Sequence, residues 1–156
     1  MDTINSQLKV EVGFIAATRE TMFLSRVGFL LMWVYRWLWG LRRPIRFRHT
    51  FICVDGSCFD LTTGGITWWE KSMMYEDIYA NTVFLPVHHL SYDPADIARV
   101  HDYADLRIRH ADIVRALLRQ EVKGMFCASF VGRLLGLDVP LDIEPDSLYD
   151  VLSVMD

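Results

Sequence analysis

Several familiar signals are missing from the 156 residues. No apolar run is long enough for a membrane span: the most hydrophobic stretch, residues 27–41, is interrupted by Arg36, and a crossing helix needs roughly 20 predominantly apolar residues. No Lys/Arg-headed leader opens the chain, since residues 1–7 are polar with Asp2 as the one charge; the expected compartment is therefore the cytoplasm. There is no basic excess, with 16 Lys and Arg against 20 Asp and Glu, so no global field is available to hold nucleic acid. Cysteine is scarce and odd in number, at three, which does not suit a disulfide framework. Internal repeats and low-complexity segments are absent as well. What the chain has in quantity is apolar surface. Hydrophobic residues make up 52% and aromatics 13%, enough for one well-packed domain over residues 1–156 and too much for a disordered chain.

Residues 8–17 mix β-branched and small apolar side chains and read as a first strand, after which Thr18 offers a helix N-cap. Residues 23–41 are helical in pattern, carry Trp33, Trp37 and Trp39, and end before Pro44. An arginine cluster follows at Arg42, Arg43, Arg46 and Arg48. The clearest local signal is Asp55-Gly56 between Phe47–Val54 and Ser57–Thr62, the dipeptide favoured in a two-residue hairpin turn. That turn pairs Val54 with Ser57, Cys53 with Cys58, Phe51 with Asp60 and His49 with Thr62. Thr63-Gly64-Gly65 closes the second strand, residues 66–79 form an aromatic-rich connection with one helical turn, and residues 81–87 form a third strand. Asp93-Pro94 opens a helix running to about Arg109. A helical or irregular segment spans residues 111–121, and Cys127 opens a short helix with Phe130, Val131, Leu134 and Leu135 facing the core, stopped by Gly136. Pro145-Asp146 begins the final helix.

Residues two apart on a strand share a face, as do directly paired residues. His49, Phe51, Cys53, Cys58, Asp60 and Thr62 therefore fall on one face of the hairpin, with Asp60 the diagonal neighbour of His49. A diagonal pair lies roughly 7–8 Å apart at the backbone, which two side chains can close. The carboxylate can then accept an imidazole N–H and fix its tautomer. Cys127, at a helix start, sees unpaired backbone N–H groups and the positive end of the helix dipole, which favour the thiolate. A nucleophile on a helix N-terminus, with base and orienting acid on strands, is the logic of a cysteine hydrolase, and the first N–H groups of that helix are candidate oxyanion donors.

The run from His49 through Asp55-Gly56 to Asp60 and on to Thr62-Thr63-Gly64-Gly65-Ile66, together with Gly124-Met125-Phe126-Cys127 and its helix and with Glu144-Pro145-Asp146-Ser147-Leu148-Tyr149, resembles the circularly permuted papain-like amidases and peptidases. These are relatives of bacterial cell-wall amidases and of lecithin retinol acyltransferase, in which the His-bearing strands precede the Cys-bearing helix. The resemblance covers most of residues 8–152, through three short motifs. It implies an α+β fold, a small antiparallel sheet packed against helices in permuted order, with a Cys127–His49–Asp60 triad. It also implies an acyl substrate, a peptide, isopeptide, cell-wall or lipid-like amide or ester, and no cofactor. Two departures concern the site: Arg48 stands where relatives carry a small residue before the His, and many relatives have Glu, His or Tyr in place of Asp60.

Other readings stay beside this one. Alone, Cys127 would be a buried small hydrophobe, His49 a hydrogen-bonded strand residue and Asp60 a strand-end carboxylate; their shared context favours catalysis. Cys53 and Cys58 are read as inert core thiols, ahead of a cross-strand disulfide and of a zinc site, whose usual Cys spacing they do not match. His88, His89, His101 and His110 lack ligand spacing, so no metal is expected. The Trp33–Trp37–Trp39 helix is read as a core or oligomer-interface helix ahead of an interfacial membrane helix. Lipid acyl transfer at a membrane surface and a non-catalytic interaction module are the competing functions.

Overall fold

The computed structural model describes residues 9–18, 30, 33–34, 36–38, 40, 43–87, 107–118, 120–121 and 123–155. The fold is α+β. Its strands are β1 (Val10–Ala16), β2 (Phe47–Val54), β3 (Ser57–Thr62), β4 (Gly65–Glu70) and β5 (Thr82–Pro86). They form one antiparallel sheet in the order β4-β3-β2-β1-β5. A 3-10 turn (Lys71–Met73) and helix α1 (Glu76–Ala80) join β4 to β5, and helices α2 (His110–Leu117), α3 (Cys127–Leu134) and α4 (Pro145–Ser153) follow.

The β2–β3 turn is made by Asp55 at φ 49° and Gly56 at φ 86°. Two successive positive φ values match the right-handed strand twist, which is why Asp-Gly nucleates such hairpins. The Asp55 carboxylate accepts a 2.8 Å bond from the Lys9 N–H, tying the turn to the start of β1. Val54 pairs with Ser57 and Cys53 with Cys58, as the turn predicts, but the ladder ends at Ile52–Phe59. The expected Phe51–Asp60 and His49–Thr62 pairs do not form. Beyond Phe59, β3 pairs with β4 alone, and the Thr62 carbonyl accepts from the Ile108 N–H at 2.9 Å. The hairpin thus opens into a fork at the end that carries His49 and Asp60.

Three sequence expectations change. The first part of the 66–79 connection is strand β4, paired along β3. Thr62 organises the turn between them, its hydroxyl accepting from the Gly64 N–H and donating to the Gly65 carbonyl. Arg107–Arg109 are not helical; the rest of the helix expected from Pro94 lies outside the described residues, as do His88, His89 and His101. Cys53 and Cys58 are not free thiols but a disulfide with Cα atoms 3.9 Å apart, because direct cross-strand pairing puts the two sulfurs in contact. The bond also removes both as zinc ligands.

The sheet is covered on both faces. On one, Val10, Val12, Phe14, Phe47, Ile52 and Leu61 pack against Phe130, Val131 and Leu134 of α3 and Leu148 and Leu152 of α4. On the other, Ile15, Phe51 and the disulfide lie under Trp69, Met74, Ile78 and Phe84. Phe51 sits directly over its cross-strand partner Gly13, where a Cβ would come 2.2 Å from the ring. An aromatic ring laid over a strand glycine restores the packing the missing side chain gives up.

Leu30, Trp33, Val34, Arg36, Trp37 and Leu38 are helical. Trp33 is 53% exposed and Trp37 70%, so neither is a core side chain in this chain, a correction to the core reading; Trp39 lies outside the described residues. Among the described residues no helix is long and apolar enough to cross a membrane. Arg36, on the same helix, is buried against the protein, donating to Glu144 at 2.6 Å, to Asp146 at 2.8 Å and to the Arg43 carbonyl at 3.0 Å.

Candidate active site

β2 carries one extra residue against β1. Ile15 faces His49 and Ala16 faces Phe47, so Arg48 is left without a cross-strand partner, the signature of a β-bulge. Without it, Phe47 and His49 would share a face. With it, Phe47 turns into the helix-side core, its ring 5.3 Å from Phe14 and 4.7 Å from Tyr149, while His49 keeps the face of Phe51. Asp146 at the start of α4 fixes this end of β2, its two oxygens accepting from the Phe47 N–H at 2.7 Å and the Arg46 N–H at 3.1 Å. A strand end held by a buried carboxylate that is itself paired with Arg36 leaves His49 little backbone freedom.

Across the fork, His49 Nε2 lies 2.5 Å from Asp60 Oδ1. A carboxylate acceptor requires the proton on Nε2, which sets the tautomer. The other ring nitrogen is left for a second partner, and Cys127 is the other side chain whose charge acts on the ring. Cys127 is the first residue of α3 and 8% exposed. The helix start is made by Ser129, whose hydroxyl accepts from the Phe126 N–H at 2.9 Å and donates to the Phe126 carbonyl at 3.0 Å. That is half of a capping box, with a phenylalanine where a hydroxyl or amide usually stands. α3 packs on the opposite layer from His49, so the open fork between β2 and β3 is where a cysteine delivered by the helices can meet a histidine from the far face.

Burial opposes charge on the imidazole, but the Cys127 sulfur and the Asp60 carboxylate outweigh it and hold the His49 pKa well above 6.5. Negative charge beside a ring favours the imidazolium. Arg48 has the reverse balance: burial pulls its pKa down, with Asp60 as the opposing negative charge.

The structure brings His49 and Asp60 into direct contact and sets Cys127 within electrostatic reach of the His49 ring. Two residues that shape the site were not assigned a role from the sequence. The sequence marked Asp146 only as part of the start of the final helix. Arg48 stood out only as a departure from a pattern, since nothing in Phe47–Val54 marks a bulge. Comparison of the chain with family models, curated proteins and solved structures yields no match.

Proposed function

We propose that the chain is a cysteine hydrolase of the permuted papain-like kind, acting on an amide bond. The observation that carries this reading is the His49 ring held by Asp60 at Nε2, with Cys127, at a helix start, the other side chain that acts on its charge. A structural cysteine has no need of a histidine whose far nitrogen is held by a carboxylate; a nucleophile does. The Cys127 thiolate attacks the acyl carbon, forming a C–S bond. The carbonyl electron pair moves to oxygen and returns, expelling the amine, which takes its proton from the His49 imidazolium. A thioester remains. His49, now neutral, removes a proton from water as it attacks the thioester, and the carboxylic acid leaves as Cys127 is restored. The backbone N–H groups of Cys127 and Ala128, at the start of α3, are the donors this reading assigns to the developing oxyanion.

The first test is the pH dependence of Cys127 alkylation by iodoacetamide, resolved by site with mass spectrometry, in wild type and His49→Ala. Rapid labelling well below the free-thiol pKa of about 8.5, abolished in the variant, supports the reading. Slow labelling indifferent to His49 refutes it and leaves the non-catalytic interaction module. A second reading, acyl transfer at a membrane surface, draws on the exposure of Trp33 and Trp37, since tryptophan settles at lipid interfaces. It requires co-sedimentation with anionic vesicles that Trp33→Ser with Trp37→Ser abolishes.

A further inference from the structure

Arg48 combines three properties that fit poorly with a purely structural arginine. It is the bulge residue immediately before His49, unpaired in the sheet. Its Nε is buried and has no hydrogen-bond partner among the described residues. The carboxylate that faces it electrostatically, Asp60, already gives Oδ1 to His49. A guanidinium N–H removed from water needs an acceptor to offset its desolvation, and the carboxylate whose charge acts on Arg48 is already engaged by His49. The Arg36 cluster shows the alternative in the same chain: two carboxylates and a carbonyl around one buried guanidinium.

We propose that Arg48 is a specificity residue that receives a carboxylate of the acyl substrate beside the bond to be cleaved. A planar guanidinium offers paired N–H donors matched to the two oxygens of a carboxylate, which an ammonium does not. The substrate class that follows is an acidic one: a peptide-like amide with a free carboxylate, from an Asp or Glu side chain or a chain terminus, close to the scissile carbonyl. The proposal rests on Cys127 being the nucleophile, and the bulge supplies the placement, since the extra residue in β2 is the one directly before His49, within the electrostatic reach of Asp60.

The test compares two alkylating reagents of similar size and opposite demands, anionic iodoacetate and neutral iodoacetamide, on Cys127 of the full chain at pH 7. The ratio of the two rate constants is read in wild type, Arg48→Gln and Arg48→Lys. The His49 imidazolium favours iodoacetate in all three, so the change in ratio isolates Arg48. The expected result is a fall on the order of tenfold or more in Arg48→Gln, from the loss of one unit charge near the reacting carbon. Iodoacetamide labelling stays within about twofold, and Arg48→Lys, which keeps the charge and loses the paired donors, retains only part of the preference. An unchanged ratio in Arg48→Gln, with iodoacetamide labelling intact, overturns the proposal and leaves the hydrolase standing. Loss of both reactions in both variants assigns Arg48 to the fold and overturns it too. Failure of wild-type Cys127 to react with either reagent sinks the hydrolase itself.

Discussion

The Asp60 carboxylate can be removed in two stages, and the stages separate charge from hydrogen bonding. Asp60→Asn keeps an oxygen able to accept from His49 Nε2 but removes the negative charge; Asp60→Ala removes both. The pair is partly shielded, with side-chain exposures of 22% for His49 and 15% for Asp60, so solvent screening is incomplete. A hydrogen bond to a charged group contributes about 1.5–3 kcal/mol and a neutral one about 0.5–1.5. Asp60→Asn should therefore cost the imidazolium about 1–1.5 kcal/mol, which is roughly five- to tenfold, and Asp60→Ala about 2 kcal/mol or more, roughly thirtyfold. The readout is the second-order rate of Cys127 labelling by iodoacetamide at pH 6, where reactivity depends on the thiolate–imidazolium pair. The same rate at about pH 10, where a free thiol is already ionised, is the control and should differ by less than twofold among the three proteins. The order wild type, Asn, Ala is part of the prediction. If Asp60→Ala labels within twofold of wild type at pH 6, Asp60 does not orient or charge the base. An equal loss at both pH values would mean that Asp60 governs access to the sulfur, and the triad assignment would fall.

Three further outcomes follow from the same contacts. Because the folded pKa of His49 is raised above 6.5, the folded state binds a proton that the unfolded state has released; its stabilisation is complete below that value and is lost as pH rises through the folded pKa. Urea midpoints measured from pH 5 to 9 should decline on the alkaline side, and His49→Ala should flatten the decline. Gly13→Ala drives a methyl group into the Phe51 ring, which Trp69 at 5.0 Å and Phe84 at 5.9 Å hold in place. Overpacking of about 1–3 kcal/mol, less the roughly 0.5–1 kcal/mol regained from glycine's chain entropy, leaves a net loss that Phe51→Leu should partly rescue; a single variant as stable as wild type would contradict the close approach. Arg36→Met strands Glu144 and Asp146 without their shared cation and should cost about 3–5 kcal/mol in urea unfolding, while Arg43→Met on the exposed side should stay within about 0.5.

Local chemistry made part of this structure readable in advance. Asp55-Gly56 has one good conformation between two β-prone runs, and it alone fixed the register of Cys53 with Cys58 and the shared face of His49 and Asp60. Gly124 before Cys127 and Gly136 after Leu135 bracketed α3 for equally local reasons. β4 escaped because Trp68 and Trp69 are adjacent large aromatics, which hide the alternation of a strand with one exposed and one packed side chain. The bulge at Arg48 and the fork beyond Ile52–Phe59 were out of reach, since both depend on what β1, β4 and residue 108 do to the hairpin rather than on the hairpin's own residues. The disulfide sits between these cases: pairing placed the two sulfurs together, but sequence offers no sign of whether they bond.

The fork has a consequence for the order in which the chain becomes reactive. The His49–Asp60 hairpin closes through a two-residue turn, a local event with little loop entropy to overcome, whereas Cys127 must return across a far longer loop. On a nascent chain the histidine and its carboxylate can meet while the thiol is still unmade. Asp146, which pins the start of β2, is translated later still. Cys127 and His49 therefore come together only when the α3–α4 layer docks, and until then the imidazole has Asp60 for a partner and no sulfur. On the proposed reading, docking of that layer is the step that makes the sulfur reactive, so reactivity arrives with the finished fold rather than before it.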